Sequence, residues 1–125
     1  MQERQLAQRA AQILYDHKAQ DIVGLRVMHL TVVTDYLVIA SGTNTLHVRA
    51  LREYLENELA KEGVTRRRVE GETLGRWVAL DYASVIVHIF HPEERAFYRL
   101  ERLWDDGQNR LSLPFYEDEL ARARV

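Results

Sequence analysis

The stretch from Gly75 to Trp104, GRWVALDYASVIVHIFHPEERAFYRLERLW, constrains the fold more than any other part of the chain. Two apolar, β-branched runs flank a short polar turn, which is the pattern of a β-hairpin. If Leu80 pairs with Val85 across Asp81, Tyr82, Ala83 and Ser84, the period of a strand puts Val78, Leu80, Val85, Val87 and Ile89 on one face. Trp77, Ala79, Ile86, His88 and Phe90 then share the other, with Trp77 opposite His88. A hairpin that is apolar on both sides must be covered on both, by its own helices or by a partner.

The helices available for that cover can be read from spacing. Leu6, Ala10, Ile13, Leu14 and His17 recur at helical steps and give a first helix one apolar face, while Arg4, Arg9 and Lys18 face water. Val48, Leu51, Leu55 and Leu59 mark a second helix over about Thr45 to Glu62, opened by an Asn44 or Thr45 cap and ended by Gly63. A third begins at Pro92, with Glu93 and Glu94 suited to its first turn, and runs to Gly107. On it Phe97, Leu100 and Trp104 form a stripe expected to pack on the sheet, with Leu103 beside it, while Tyr98, Glu101 and Asp105 lie on an adjoining face.

Asp21 to Val27 and Asp35 to Ser41 read as strands, with Gly24 suggesting a bulge and MHLTVVT between them ambiguous. Arg66, Arg67, Arg68 and Val69 read as an edge strand, where charge discourages aggregation, and Glu70 to Thr73 as a turn. The expected class is α+β, a mixed sheet with helices packed on it. Residues 1–107 form the expected domain, and residues 108–125 a tail that is either a short appended helix or a frayed end.

Several function classes fall away. The chain has 125 residues and no cysteine, which excludes disulfides and thiolate metal sites. The formal net charge of -2 argues against a domain built as a whole to blanket nucleic acid. The N-terminal MQERQLAQRAAQILYDHKAQ lacks the apolar centre of a signal peptide, so cytoplasm is the expected compartment. No P-loop, dinucleotide fingerprint or nucleophile elbow is present, and no membrane, cofactor, metal or catalytic residue is expected. His88 and His91, three apart on a strand, would point to opposite faces.

Ser41-Gly42-Thr43 follows a strand and opens a helix, an arrangement able to present N–H groups to a phosphate. Polymerase-beta-type nucleotidyltransferases place two magnesium-binding carboxylates on the next strand, but here that strand reads RRRV, so the turn is expected to be a helix cap. The same arginines are candidates for contact with RNA phosphate.

Trp77-Val78-Ala79-Leu80-Asp81-Tyr82, Val85-Ile86-Val87-His88-Ile89-Phe90 and Arg95-x-Phe97-Tyr98-x-Leu100-Glu101-x-Leu103-Trp104 together resemble the ribosomal silencing factor family RsfS, also called Iojap. The upstream run from Thr34 to Thr45 and Glu70-Gly71 are similar to the family as well, so the likeness spans about Leu6 to Trp104. Arg26, where many members carry an acid, and Leu37, where Phe is common, depart from the pattern. The resemblance implies a nucleotidyltransferase-like topology without catalytic carboxylates and without enzymatic activity. It implies binding to ribosomal protein number fourteen of the large ribosomal subunit, so that the small subunit is kept off and translation is repressed when nutrients are scarce. It carries over Trp77, Asp81, Tyr82, His88, Arg95, Tyr98 and Glu101 as candidate partner-binding residues. Contact with ribosomal RNA and a homodimer formed through the same face are further expectations.

Overall fold

The computed structural model describes residues 1–71 and 74–123. Helix α1 (Glu3–Asp16) leads into strands β1 (Gln20–Arg26) and β2 (Tyr36–Ser41), then helix α2 (Thr45–Lys61). Strand β3 (Arg68–Glu70) precedes the hairpin of β4 (Trp77–Asp81) and β5 (Val85–Phe90). Helices α3 (Pro92–Tyr98), α4 (Leu100–Trp104) and α5 (Pro114–Ala123) follow. The strands make one mixed sheet in the order β1-β2-β5-β4-β3. Only β2 and β5 run parallel, since the long crossover through α2 lies between them. The chain is therefore α+β, as its pattern implies.

Alternation along the two central strands separates the core into two layers. Tyr36, Val38 and Ala40 of β2 and Val85, Val87 and Ile89 of β5 meet α1 and α2. Leu37 and Ile39 of β2 and Phe90 of β5 fall in the second layer, with Leu25 and Val27. The stripe of α1 is wider than its large residues suggest, because Ala7, Ala10 and Ala11 are fully buried and let the helix lie close to the sheet. His17 leaves that stripe: it is the helix C-cap, and its ring stacks on Tyr54 at 3.9 Å. Asn44 caps α2 by accepting from the His47 N–H at 2.8 Å. Gly63 closes the helix with φ +80, a conformation that costs glycine nothing.

The hairpin register differs from the expected one. Leu80 pairs with Val87, not Val85, and Trp77 pairs with Phe90, not His88. The Asp81 carboxylate accepts from the Ala83 N–H at 2.8 Å, which keeps Asp81 in the strand and starts the turn one residue later, with Ala83 at φ +70. The displacement is even, so both faces keep their expected residues. In β1 the irregularity lies between Gln20 and Val23, where Asp21 has φ +50, and Gly24 instead lies against Leu111. Of the expected turn after β3, Glu72 and Thr73 lie outside the described residues, as do Arg124 and Val125 of the tail.

The third expected helix is broken. Arg99 adopts left-handed φ 49 and ψ 49, ending α3 and starting α4 on a new axis. The ion pair Arg95–Glu101 at 3.1 Å spans the break. On an uninterrupted helix these two side chains would stand about 120° apart. The new axis brings Leu100 and Trp104 onto the second layer but leaves Phe97 79% and Leu103 72% exposed, so Phe97 does not pack on the sheet.

The segment after Gly107 is built into the fold. The Leu111 N–H donates to Gly24 O at 2.8 Å, and Arg110 bridges Leu25, so this segment lies along the outer edge of β1. Leu113 and Phe115 enter the first layer, and the Phe115 ring stacks on Tyr15 at 4.2 Å. Among the described residues no helix is long and apolar enough to cross a membrane.

Candidate functional site

Two helices and the α5 segment cover the first face of the sheet, whereas the second is covered in part by the short α4 and by Tyr98 at the end of α3. Trp77, Ala79, Ile86 and His88 on that second face stay half-buried. Trp77 stacks on Phe90 at 4.7 Å and leans against Tyr98 at 4.8 Å, while Phe97 meets Tyr98 edge-on at 5.0 Å. Tyr98 is 48% exposed. Gly71 is required beneath this cluster, because any Cβ there would stand 2.0 Å from the Trp77 carbonyl oxygen.

The indole N–H of Trp77 donates to His88 Nδ1 at 3.0 Å. Burial lowers the pKa of His88 to about 4, so the ring is neutral at physiological pH. Beside it runs a groove of about 240 Å³, floored by Leu37, Ile86 and His88 and walled by Leu100 and Trp104 on one side and Val33 on the other.

The opposite rim is the segment between β1 and β2, which belongs to no helix or strand. Met28, Leu30, Val32 and Val33 are 46%, 45%, 105% and 64% exposed. Hydrogen bonds from Leu30 and Thr31 N–H to Val27 O fold the loop, and His29 meets Asp106 at 2.8 Å to tie it to the turn after α4. With Phe97, Tyr98 and Leu103 across the groove, it makes an apolar surface of the kind that marks an interaction site. Sequence reasoning missed these loop residues, although an apolar run without strand or helix period was their signal.

Of the seven residues carried over, the structure brings Trp77, His88 and Tyr98 together on this face. Glu101 is half-buried, with one carboxylate oxygen accepting from Arg95 Nε at 3.1 Å and the other buried without a partner. The other three, named as candidate partner contacts, are buried instead. Arg95 is 9% exposed and donates to Ser41 Oγ at 2.9 Å, so it ties α3 to β2. Tyr82 is 7% exposed in the first layer, and burial pushes its phenol up to about 12. Asp81, also 7% exposed, lies at the end of β4 away from Trp77. Burial works to raise the Asp81 pKa, but hydrogen bonds from Arg67 and the Ala83 N–H, with the charges of Arg67 and Arg68, hold it below the usual carboxylate value.

The turn at Ser41 to Thr43 has the backbone donors of Gly42 and Thr43 occupied. Gly42 N–H donates to Phe90 O at 2.9 Å and Thr43 N–H to His47 Nδ1 at 2.9 Å, while Arg95 holds the Ser41 hydroxyl. A Cβ on Gly42 would meet Val48 N at 2.9 Å, so this glycine serves close packing. The turn works as a cap, as its sequence implies. Among the described residues no three His, Asp or Glu side chains gather as a metal site. Arg66 pairs with Glu56 at 2.8 Å, and Arg67 and Arg68 with Asp81 at 2.9 and 3.6 Å, so part of the basic patch is neutralised internally.

Comparison with known proteins places these features in a family. Residues 1–124 match the model of RsfS, the ribosomal silencing factor during starvation. The ribosomal silencing factor RsfS of Halalkalibacterium halodurans is 35% identical over 107 residues, covering 86% of this chain and 92% of that protein. The mouse protein named mitochondrial assembly of ribosomal large subunit protein 1 is 33% identical over 113 residues, covering 88% of this chain and 46% of its own. A crystal structure of a protein from Chromobacterium violaceum superposes with TM-score 0.81 at 31% identity, covering 90% of this chain and 92% of that one. The match extends past Gly107 into the segment that clasps β1, and the chain belongs to the RsfS family.

Proposed function

We propose that this protein is a non-enzymatic, cytoplasmic ribosomal silencing factor. It docks on the large ribosomal subunit through ribosomal protein number fourteen and blocks the small subunit from joining, which represses translation when nutrients are limiting. The observation that carries the reading is the half-open second face of the sheet, where Trp77, His88 and Tyr98 adjoin an apolar groove with exposed apolar rims. Membership of the RsfS family supports the ribosomal target, and the name of the mouse relative supports the large subunit as the relevant particle. Aromatic groups with apolar bodies and polar tips suit such a surface, because they stay wet until a partner covers them.

The test is co-sedimentation with purified large subunits followed by a subunit-joining assay. Binding to large subunits together with a dose-dependent loss of joined ribosomes is expected; joining that proceeds unimpaired at saturating protein overturns the reading. A contact with ribosomal RNA draws on Arg67 and Arg68, whose side chains are 62% and 64% exposed. It predicts binding that weakens steeply with salt and on the combined Arg→Ala change. Self-association through the same face would compete with docking, and sedimentation of the free protein measures it. Nucleotidyl transfer gains no support from a turn whose Gly42 and Thr43 backbone donors are already occupied.

A further inference from the structure

We infer that His88 reads a hydrogen-bond acceptor on the docked protein, so that the groove receives an apolar side chain carried beside an exposed backbone carbonyl. This rests on the proposed reading of the face as a docking surface and specifies what fits it. An indole N–H can only donate, so the bond from Trp77 Nε1 requires His88 Nδ1 to be an unprotonated acceptor. A neutral ring then carries its proton on Nε2. That atom lies at the tip of the side chain and has no hydrogen-bond partner among the described residues. Among the described residues the fully enclosed side-chain atoms without partners are Tyr82 Oη and Glu101 Oε2, so His88 Nε2 keeps some contact with water in the free protein.

Docking removes that water. Of the side chains lining the groove only the Thr31 and Thr34 hydroxyls could accept, and they are engaged with the Val33 N–H and the Tyr36 carbonyl, so the N–H would be stranded unless the partner brings an acceptor. The acceptor should be neutral, because a carboxylate buried in the groove would lose its hydration with no Lys or Arg among the lining residues to offset its charge. The absence of lining cations also disfavours a nucleic-acid backbone. The volume of about 240 Å³ is below the roughly 300–1,000 Å³ of small-molecule sites and suits one large apolar side chain. Trp77 is in this scheme a positioning residue: its donor sets the tautomer that presents Nε2–H. A site built around one hydrogen bond rejects surfaces that lack the complement, so this pair would set partner specificity as well as affinity.

The experiment measures co-sedimentation of three folded variants with purified large ribosomal subunits, together with the imidazole ¹⁵N spectrum of the free protein. Val33→Asp charges an exposed groove wall and should abolish binding. His88→Leu removes the donor and should weaken binding about tenfold or more, whereas His88→Gln, which keeps an N–H at similar reach, should stay within about threefold of the parent. The free protein should show the Nε2–H tautomer, and Trp77→Phe should release it to a mixture. If Val33→Asp fails to bind while His88→Leu binds like the parent, the acceptor is overturned and the docking face stands. A proton on Nδ1 in the free protein overturns it equally. If Val33→Asp binds normally, the docking face falls and this inference falls with it.

Discussion

The indole N–H of Trp77 donates to His88 Nδ1 across 3.0 Å although the two residues are not opposed on the sheet, since Trp77 faces Phe90 and His88 faces Ala79. The diagonal bond and burial both favour the neutral imidazole. The unfolded chain takes up this proton near pH 6.5, the folded chain only near about 4. Between these values the unfolded state binds more protons, so stability falls as the pH drops through that window and levels off below it. The loss attributable to His88 should reach up to about 3 kcal/mol. Urea unfolding of the parent and His88→Leu across the window checks this, because the difference between the curves isolates the residue. Parallel curves would refute it.

Arg95 is placed to hold α3 and α4 to the sheet rather than to meet a partner. Its guanidinium reaches Ser41 Oγ at 2.9 Å and Glu101 Oε1 at 3.1 Å. Arg95→Met should cost about 2 kcal/mol, discounted from a fully buried pair because Glu101 keeps some solvent contact. Arg95→Lys should not restore it, since a point charge cannot fork to both acceptors. Thermal unfolding decides, and a variant as stable as the parent would return Arg95 to the list of surface contacts.

Arg99 carries the bend that separates α3 from α4, at φ 49 and ψ 49. A side chain in the left-handed region costs about 1 kcal/mol, and glycine avoids most of that cost. Arg99→Gly should therefore exceed Arg99→Ala in stability by about 1 kcal/mol, although both remove the same guanidinium. If the alanine variant were the more stable, the continuous helix would be the better description of this segment.

The difference between what the residues announced and what they concealed follows the range of the interactions. Period-two alternation assigned the faces of β4 and β5 correctly even with the register displaced, because an even slip preserves parity. Asn44 and Gly63 marked the ends of α2 because caps are local. Arginine carries no local preference for the left-handed conformation, so nothing near Arg99 signalled the break. The burial of Arg95 depends on Ser41, 54 residues earlier, and the depth of Tyr82 on the core layer it joins with residues of α1 and α2. For the candidate face, the motif found Trp77, His88 and Tyr98 but could not separate them from Asp81 and Tyr82, since exposure is a tertiary property. The exposed run from Met28 to Val33 had neither strand nor helix period, so its apolar composition was the one local sign of it.

The segment after Gly107 should contribute as much to stability as a core element. Tyr116 accepts the Ile22 N–H at 2.7 Å beside the bulge in β1, a backbone donor that has no strand partner on that side. Tyr116→Phe should cost about 1 kcal/mol by leaving that N–H without its acceptor. Phe115 is 6% exposed and stacked on Tyr15, so Phe115→Ala should cost about 3 kcal/mol through lost burial and the cavity left behind. The two changes act on neighbouring contacts, so the double variant should fall short of their sum. Amide exchange offers the sharper test: β1 should lose protection in both variants while β4 and β5 keep theirs, because the clasp's hydrogen bonds to the sheet run to β1 alone among the described residues. Uniform loss across all strands would instead mean that the segment stabilises the first core layer as a whole and that β1 has no separate dependence on it.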